Sequence, residues 1–416
     1  MKKVVVIGGG PAGMMAAISA ACCGARVVLL EKKSTVGKKL NITGKGRCNL
    51  TSARPIAEFI DQYPGNGRFL FSALYQFSNQ DLIDFLAQRG VRTKVERGQR
   101  VFPVSDSAAD VVEAFYDTML QYGVKVIKSC QVVDIVIKDR RVKAVQTGQD
   151  MVCTDALIIA TGGLSYPGTG STGDGYGWAE KAGHRIINLR PGLVPLETEE
   201  SWVARCQGLS LKNVQATAYD EQGKMINQEC GEMLFTHYGV SGPIILTMSS
   251  DIARVYALKG KKLRLTIDLK PALSPEKLDE RLQRDFSLNS RKHFKNALDN
   301  LLPRLLIPVM VELVKIDAHK PCHQITRAER QRLLGLLKNL PLTITGTRPI
   351  KEAIVTAGGV DVAQVDPRTM QSRLIGGLYF AGEILDIDGY TGGFNLQAAF
   401  STGYVAGKSA AQTDSG

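Results

Sequence analysis

The sequence predicts an α/β protein whose parallel sheet takes strands from both ends of the chain. Lys3 to Ile7 is a short β-branched run, followed by a glycine-rich turn, small helix-forming residues and a second apolar run at Arg26 to Leu30. A third run, Asp155 to Ala160, also ends in glycines, and a fourth, Gly377 to Gly382, lies near the C-terminus. Short apolar runs of this kind, separated by helical segments, are typical of buried parallel strands.

The first turn, Gly8-Gly9-Gly10-Pro11-Ala12-Gly13, has the spacing G-x-G-x-x-G between a strand and a helix. Gly8 permits the tight turn, Gly10 lets a pyrophosphate approach the backbone, and Gly13 lets helix and strand pack closely. The N–H groups at the helix N-terminus attract the phosphates. Glu31, at the end of the second strand, is expected to accept hydrogen bonds from an adenosine ribose. These features predict a dinucleotide site without separating FAD from NAD.

Three further segments favour FAD. The third strand ends in Ala160-Thr161-Gly162-Gly163, whose backbone can lie close to a large dinucleotide. Glu383 follows the fourth strand and is expected to hydrogen-bond the ribityl or phosphate portion. A helix that begins at Gly393 is expected to point its positive end at the pyrimidine edge of a reduced flavin. The basic, glycine-rich loop from Gly37 to Asn49 is expected to approach the planar ring, with a solvated loop as the alternative.

A second G-x-G-x-x-G stretch, Gly168 to Gly173, raises the alternative of a separate pyridine-nucleotide fold. Ser165-Tyr166-Pro167 separate this stretch from the preceding strand, and no acidic residue marks the end of the next strand near Arg190. We therefore expect a loop that covers the flavin rather than a second nucleotide fold.

Composition limits the class of protein. The chain has 416 residues, of which 44% are hydrophobic and 22% charged, as in ordinary globular proteins of two domains. Its eight cysteines include no C-x-x-C pair and no zinc-like spacing, so reduced thiols and no bound metal are expected. No apolar run approaches the roughly 20 residues of a membrane span. We therefore expect a cytoplasmic protein that does not enter the membrane.

Charge is unevenly distributed along the chain. The formal net charge is +12. Residues 259–338 contain eighteen Lys and Arg against nine Asp and Glu, so this fifth of the chain carries most of the excess. Such a segment favours an anionic partner, although solvated helix faces are the alternative explanation.

Taken together, the motifs resemble those of the BaiN/YhiN family of flavin-dependent oxidoreductases. The similarity runs from Lys3 to about Gly407. The matching stretches are VVVIGGGPAGMMAA, GKKLNITGKGRCNLT, ATGGLSYPGTGSTGDGYG, RPGLVPL, GEMLFTHYGVSGPIIL, TAGGV and GLYFAGEILDIDGYTGGFNLQAAFSTG. Family members often have S-G-G-G-R-C-N where this chain has TGKGRCN at Thr43 to Asn49, so Lys45 adds a cation.

The resemblance implies a discontinuous, Rossmann-like FAD-binding domain of the glutathione-reductase and fumarate-reductase type, at residues 1–190 and 344–416. An inserted domain at residues 191–343 is expected to combine a mixed β-barrel with helices. The basic helical part of this insert is expected at about residues 275–339.

The residue pattern supports this division independently. Prolines and glycines mark the entry to the insert at residues 190–195 and the exit at residues 341–349. Within the insert, Leu209 to Tyr219 and Lys262 to Leu269 alternate apolar and polar residues, which predicts two strands.

The motifs and the resemblance give a set of expected flavin-binding residues. These residues lie in the first turn, after the second strand, in the basic loop and at the ends of later elements: Gly8, Gly10, Pro11, Ala12, Gly13, Glu31, Lys32, Lys39, Gly46, Arg47, Cys48, Val132, Ala160, Thr161, Gly162, Gly163, Asp174, Gly382, Glu383, Gly393, Phe394, Asn395 and Leu396. NAD(P)H is expected as the transient electron donor.

A flavin commits a protein to hydride or electron transfer. The resemblance implies one of two substrates, since family members are described as reducing bile-acid intermediates or a uridine of large-subunit ribosomal RNA. Both reactions deliver a hydride to the β-carbon of a C=C bond conjugated to a carbonyl and a proton to the α-carbon. Binding of RNA gains affinity from contacts between cations and phosphates, so the basic insert favours RNA over a small molecule as the substrate. A small-molecule enone reductase and a non-catalytic flavin-binding protein stay open as alternatives.

Three residues are candidates for the general acid that such a reduction requires. Cys48, His237 and Tyr390 each lie in a distinctive motif, and His237 is equally interpretable as a structural histidine. Arg47 and Lys45 are expected to stabilise negative charge on the reduced ring. The RNA contacts are expected at Arg291, Lys292 and Lys295.

Overall fold

The computed structural model of the chain describes residues 1–148, 150–255 and 262–412. The chain divides into two compact units. The first unit is formed by Met1–Gly192 together with Pro349–Gly416, and the second by Leu193–Arg348. The first unit is therefore discontinuous in sequence.

The domain limits predicted from the sequence, 190/191 and 343/344, fall inside β-strands of the structure. The prolines that suggested turns are responsible for this difference. Pro191 pairs with Thr356 in an antiparallel ladder, and Pro341 pairs with Thr266 in another. A proline lacks only its own N–H, so it can occupy a strand position where that donor is not needed.

The N-terminal part of the first unit contains eleven strands and six helices in its described residues. The strands are β1 (Lys3–Ile7), β2 (Arg26–Leu30), β3 (Thr51–Ser52), β4 (Thr93–Glu96), β5 (Arg100–Pro103), β6 (Lys125–Ile127), β7 (Val132–Lys138), β8 (Arg141–Thr147), β9 (Met151–Cys153), β10 (Ala156–Ile159) and β11 (Ile186–Gly192). The helices are α1 (Pro11–Cys22), α2 (Lys38–Ile42), α3 (Phe71–Gln76), α4 (Asn79–Ala87), α5 (Ala108–Gln121) and α6 (Asp174–Lys181).

The second unit combines strands with helices, and the chain then returns to the first unit. The strands of the second unit are β12 (Leu196–Thr198), β13 (Ser210–Tyr219), β14 (Met225–Phe235), β15 (Gly239–Ser241), β16 (Leu263–Asp268) and β17 (Leu340–Thr347). Its helices are α7 (Pro243–Val255), α8 (Pro275–Leu288), α9 (Phe294–Ala297), α10 (Ile307–Val314) and α11 (Arg327–Lys338). The returning segment forms β18 (Val355–Val360), β19 (Leu378–Phe380) and α12 (Phe394–Ala411).

A parallel sheet with the strand order β19-β10-β1-β2-β6 is the centre of the first unit. Helix α12 packs against α1 at very short range. A Cβ atom on Gly403 would lie 2.3 Å from the Ala12 carbonyl oxygen, and one on Gly407 would lie 2.1 Å from that of Ala16. Only glycines permit this approach, so the two ends of the chain are joined by backbone packing as well as by the sheet.

The second glycine-rich stretch does not begin a second nucleotide fold within the described residues. It leads into α6 and then β11, which pairs with β18 in an antiparallel ladder. A nucleotide fold requires a parallel strand at this point. The interpretation of this stretch as a loop therefore agrees with the structure.

A closed barrel with the strand order β12-β15-β14-β13-β16-β17 is the centre of the second unit, as far as its residues are described. The helical segment also follows the predicted pattern. On α8, Leu278, Leu282 and Phe286 recur at helical spacing and are buried. The predicted fold class, a Rossmann-type sheet with an inserted barrel and helices, is confirmed. In the described ranges, no helix is both long enough and apolar enough to cross a membrane.

Candidate functional site

The candidate site lies at the carboxyl edge of the parallel sheet. Because β1, β2, β10 and β19 run parallel, the residues that follow them meet at one edge. These residues are Gly8 after β1, Glu31 after β2, the Ala160–Gly163 segment after β10 and Gly382-Glu383 after β19. Ligands of open parallel sheets bind at this edge.

The three glycines of the first turn differ in what surrounds them. Gly8 has a φ of +105°, and a Cβ there would lie 2.4 Å from the Ala160 carbonyl oxygen. A Cβ on Gly13 would lie 1.8 Å from the Gly8 carbonyl oxygen. A Cβ on Gly10, by contrast, would meet no described atom within 4 Å, at the residue that precedes Pro11 and helix α1. Gly8 and Gly13 are therefore required by the fold, whereas Gly10 leaves room for a ligand.

Glu31 is bound to the glycine turn itself. One carboxylate oxygen accepts the backbone N–H of Gly9 at 2.7 Å, and the other accepts that of Lys33 at 2.7 Å. Glu31 as a residue is only 8% exposed. A carboxylate has about four lone-pair sites, so capacity for ribose hydroxyls is left. Glu31 therefore fixes the turn in addition to its expected ribose contact.

Lys32 and Asp174, both expected to contact the cofactor, form an ion pair at 2.7 Å, and Thr172 contacts both side chains. Partial burial raises the pKa of Asp174, but the hydrogen bonds from Lys32 and Thr172 outweigh it, so the pKa is lowered. Val132 begins β7, two residues after Cys130, whose N–H donates to the Glu31 carbonyl oxygen at 3.0 Å. These residues lie around the end of β2, where the adenosine half is expected.

Lys39 and Glu383 lie in a polar network with Ser165 and Thr356, which we call the Glu383 network. Lys39 Nζ lies 2.6 Å from the Glu383 carboxylate and 2.7 Å from Ser165 Oγ. Ser165 Oγ donates to Glu383 at 2.9 Å, and the Thr356 N–H donates at 2.8 Å. The Thr356 hydroxyl also accepts the N–H of Leu164 at 2.8 Å. The network joins four motifs that are far apart in the sequence.

Ser165 and Thr356 were missed by the sequence-based prediction. A Cβ on Gly163 would lie 2.3 Å from Thr356 Oγ1. This close approach explains why the second residue of the Gly162-Gly163 pair is a glycine. The signal that could have identified Thr356 is its motif, TAGGV, which places a hydroxyl before two glycines.

The N-terminus of α12 lies beside the strand β3. Gly393, with a φ of +99°, precedes the helix, and a Cβ there would lie 2.6 Å from the Thr51 backbone. The side-chain oxygens Asn49 Oδ1, Thr51 Oγ1 and Thr161 Oγ1 are buried without a hydrogen-bond partner in the described chain. Buried polar atoms are normally paired. These oxygens therefore fit a site that a polar ligand completes.

Phe394, Asn395 and Leu396 form the first turn of α12, where backbone N–H groups have no partner within a helix. The Asn395 side chain is anchored by Gly389, whose N–H it accepts at 2.8 Å and whose carbonyl it contacts at 2.7 Å. Tyr390 lies in the same loop, and its N–H donates to the Gln62 carbonyl oxygen at 2.9 Å. Tyr390 therefore remains a candidate close to the helix N-terminus.

Cys48 does not fit the role of a general acid. Its side chain is fully buried in the hydrophobic core, and its φ is +61°. Burial raises the pKa of the thiol to about 12, despite a hydrogen bond with Thr43 that lowers it. Because its thiol is enclosed among core side chains, we interpret Cys48 as a packing residue. Gly46, two residues earlier, has a φ of +84° and shapes the same loop.

Arg47 is not free to stabilise charge on a flavin. Its guanidinium pairs with Glu96 and, at 2.7 Å, with Asp106, and it lies 4.3 Å above the Phe102 ring. The hydrogen bonds that Arg47 donates to Glu96 and Asp106 raise the pKa of its guanidinium. Its charge is thus already compensated. Lys45 is exposed in the preceding turn.

His237 lies in the second unit, in the short connection between β14 and β15. It is exposed, and its ring contacts that of Tyr238 edge-on at 4.8 Å. The structure describes the two units separately, so a role for His237 beside the cofactor stays a prediction.

Arg291, Lys292 and Lys295 lie between α8 and the start of α9. Arg291 and Lys292 are exposed and Lys295 is half-buried. Within the described part of the chain, none of the three forms an ion pair, whereas Arg330 pairs with Asp279 at 2.8 Å. Lys259 and Lys261, part of the same basic segment, lie outside the described residues.

Comparisons with known proteins agree with this geometry. Residues 2–409 match the family described as HI0933-like protein Rossmann domain. A 3-dehydro-bile acid delta(4,6)-reductase of Clostridium scindens is 33% identical over 92% of each chain. A ribosomal RNA dihydrouridine synthase of Escherichia coli is 31% identical over 91% of this chain and 90% of its own.

Solved structures show a similar fold. A 3-ketosteroid delta1-dehydrogenase from Sterolibacterium denitrificans is 13% identical, with a TM-score of 0.54 over 99% of this chain and all of that one. At this identity the likeness extends to the fold alone. The family match over nearly the whole length confirms the resemblance seen in the motifs: the chain belongs to the HI0933-like Rossmann family, which includes the BaiN/YhiN proteins.

Proposed function

We propose that this protein is an FAD-dependent reductase, driven by NAD(P)H, that converts a uridine of large-subunit ribosomal RNA to dihydrouridine. The single observation that carries the RNA assignment is the set of unpaired cations Arg291, Lys292 and Lys295 in the second unit. Phosphate contacts by such cations supply much of the affinity of proteins for RNA. Relatives named as ribosomal RNA dihydrouridine synthases support the same reading.

FAD fits the carboxyl edge of the parallel sheet. Gly10 leaves room for the pyrophosphate beside the N-terminus of α1, and Glu31 keeps acceptor capacity for the ribose. The partnerless oxygens of Asn49, Thr51 and Thr161 are suited to the polar parts of the ligand. The α12 N-terminus provides a positive dipole end for a reduced ring that carries negative charge.

When bound and reduced, FAD would supply the hydride that the β-carbon of the conjugated C=C accepts. The protein must then polarise the substrate carbonyl and deliver a proton to the α-carbon. Tyr390 is our candidate proton donor, because it lies in the loop that precedes α12, while Cys48 is buried with a raised pKa. The Glu383 network holds Lys39 and Glu383 at the end of β19, where they orient the ligand.

A second candidate function is the reduction of a small-molecule enone. The relative from Clostridium scindens, named as a bile acid reductase, favours it at 33% identity. The two functions require different surfaces, because a steroid-like substrate needs an apolar pocket and no phosphate contacts. The unpaired cations of the second unit have no role in that reaction.

Purified protein tests the proposal directly. We expect it to release FAD rather than FMN on denaturation and to oxidise NADH or NADPH in the presence of unmodified ribosomal RNA. Mass spectrometry of the digested RNA should then detect dihydrouridine. Turnover with a steroid enone and none with RNA would favour the second function. A bound flavin without turnover on either substrate would favour a non-catalytic binding protein.

A further inference from the structure

Two segments of the second unit, residues 290–295 and 318–323, lie side by side and are tied by backbone hydrogen bonds. The N–H of Phe294 donates to the Lys320 carbonyl oxygen at 2.9 Å, and that of Cys322 donates to Lys292 at 3.0 Å. His323 donates to Ser290 at 3.1 Å in the same way. We call the exposed face of these segments the histidine surface.

Buried side chains anchor the histidine surface from below. Phe294 is fully buried and Cys322 is 3% exposed, and both belong to the core of the second unit. The charged and histidine residues that flank these two anchors are exposed, except Lys295 and Lys320, which are half-buried. The surface therefore comprises Arg291, Lys292, His293, Lys295, His319 and His323.

Three of the five histidines of the chain lie on this surface, and all three are exposed. The rings of His293 and His319 contact each other edge to face, with centroids 5.1 Å apart and planes at 75°. The His323 ring nitrogen Nδ1 lies 2.9 Å from the Ser290 carbonyl oxygen, which fixes that ring as well. The aromatic groups are thus held in defined orientations at the surface.

The local charge is positive. The Glu329 carboxylate forms an ion pair with Lys320 at 2.7 Å, and the hydrogen bond from Lys320 lowers the pKa of Glu329. Asp317 lies two residues before His319, and its carboxylate accepts the backbone N–H of His319 at 2.9 Å. In the described part of the second unit, Arg291, Lys292 and Lys295 have no ion-pair partner to compensate them.

We infer that the histidine surface binds an unpaired RNA segment, with bases stacked on His293 and His319 and phosphates on Arg291, Lys292 and Lys295. This inference rests on the proposed function and specifies that the protein binds its RNA as an unpaired strand. Exposed rings among cations suit single strands, whose bases are free to stack, whereas an RNA duplex hides its base faces. Because the backbone and the buried anchors hold the surface, little ordering accompanies binding.

The test compares affinities for a single-stranded RNA of about 12 nucleotides and for an RNA duplex of the same length. Binding would be measured with the full-length flavoprotein over a series of salt concentrations. The variants are His293→Ala/His319→Ala and His293→Phe/His319→Phe. Lys212→Ala, an exposed lysine on β13, is the control.

The alanine pair should lose about tenfold or more in affinity for the single strand, and much less for the duplex, with an unchanged salt slope. The phenylalanine pair should keep most of the affinity, because it retains the stacking rings. Alanine at Arg291, Lys292 and Lys295 should instead reduce the slope by about 0.7 per lost contact.

Equal losses on both RNAs, or no loss with the alanine pair, would overturn the stacking role while leaving the proposed function intact. Absence of RNA binding by the unaltered protein would overturn both. Comparing dihydrouridine in cells that carry the gene with cells that lack it separates these outcomes, because that comparison reports whether the reaction occurs without using the stacking variants.

Discussion

Lys39 and Glu383 form an ion pair at 2.6 Å although 344 positions separate them in the sequence. Each side chain is 19% exposed, so the pair is only partly open to solvent. The same carboxylate accepts the Ser165 hydroxyl and the Thr356 N–H. The pair therefore connects helix α2 with the end of β19 at the edge where the cofactor is proposed to bind.

Lys39→Met should destabilise the first unit by about 1–3 kcal/mol, because it leaves the Glu383 carboxylate without its cation. Glu383→Gln should lower the free energy of unfolding by a similar amount. The NH2 group of the amide cannot accept the hydrogen bonds that the replaced carboxylate oxygen accepts. The double variant should lose less unfolding free energy than the sum of the two single losses, because the two residues act as a pair. Urea unfolding and the flavin-to-protein ratio measure these effects. Strict additivity would show that the two side chains do not act together.

Gly10→Val should abolish flavin retention while the apoprotein still folds, because a side chain there meets open space rather than protein atoms. Gly13→Val is the matched control. It should prevent folding, since its Cβ would lie 1.8 Å from the Gly8 carbonyl oxygen. Circular dichroism and released flavin distinguish the two results. A Gly10 variant with normal flavin content would mean that the pyrophosphate lies elsewhere.

Cys48→Ala should keep flavin content and turnover within a few-fold of the unaltered protein. The buried thiol has a pKa raised to about 12, so almost no thiolate forms at pH 8. The number of thiols that react rapidly with a disulfide reagent should therefore stay the same in the variant. A large loss of turnover, with folding unchanged, would restore Cys48 as the proton donor.

His184 should make stability depend on pH. Burial lowers the pKa of its imidazole to about 4, although Asp361 acts to raise it. An unfolded chain takes up this proton at about pH 6.5, so stability should fall as the pH drops from about 6.5 to about 4. The loss attributable to His184 is on the order of 2–3 kcal/mol.

His184→Gln, which keeps a polar group toward Ser372, should remove much of that pH dependence. Urea unfolding at pH 7 and pH 5 measures the difference for both proteins. The same loss of stability in the variant would assign the effect to other groups.

The fold was predictable where the determinants are local. The strand, turn and helix from Lys3 to Glu31 are determined by residues that are consecutive in the sequence, and they occur as predicted. The candidate site was less predictable from the sequence, because its contacts join segments that are distant along the chain. Arg47 was expected beside the flavin, but its partners Glu96 and Asp106 lie about 50 to 60 positions away and carry no local signal. Ser165 and Thr356 also form contacts between distant segments, although the TAGGV motif carries a local signal for Thr356.

Nucleoside analysis of ribosomal RNA tests the central claim most directly. The RNA would come from cells that lack the gene, complemented with the unaltered chain or with a variant carrying Arg291→Glu, Lys292→Glu and Lys295→Glu. We expect dihydrouridine in the large-subunit RNA to disappear without the gene, to return with the unaltered chain, and to stay low with the variant, whose flavin content is normal. Undiminished dihydrouridine in the cells that lack the gene would contradict the proposed function.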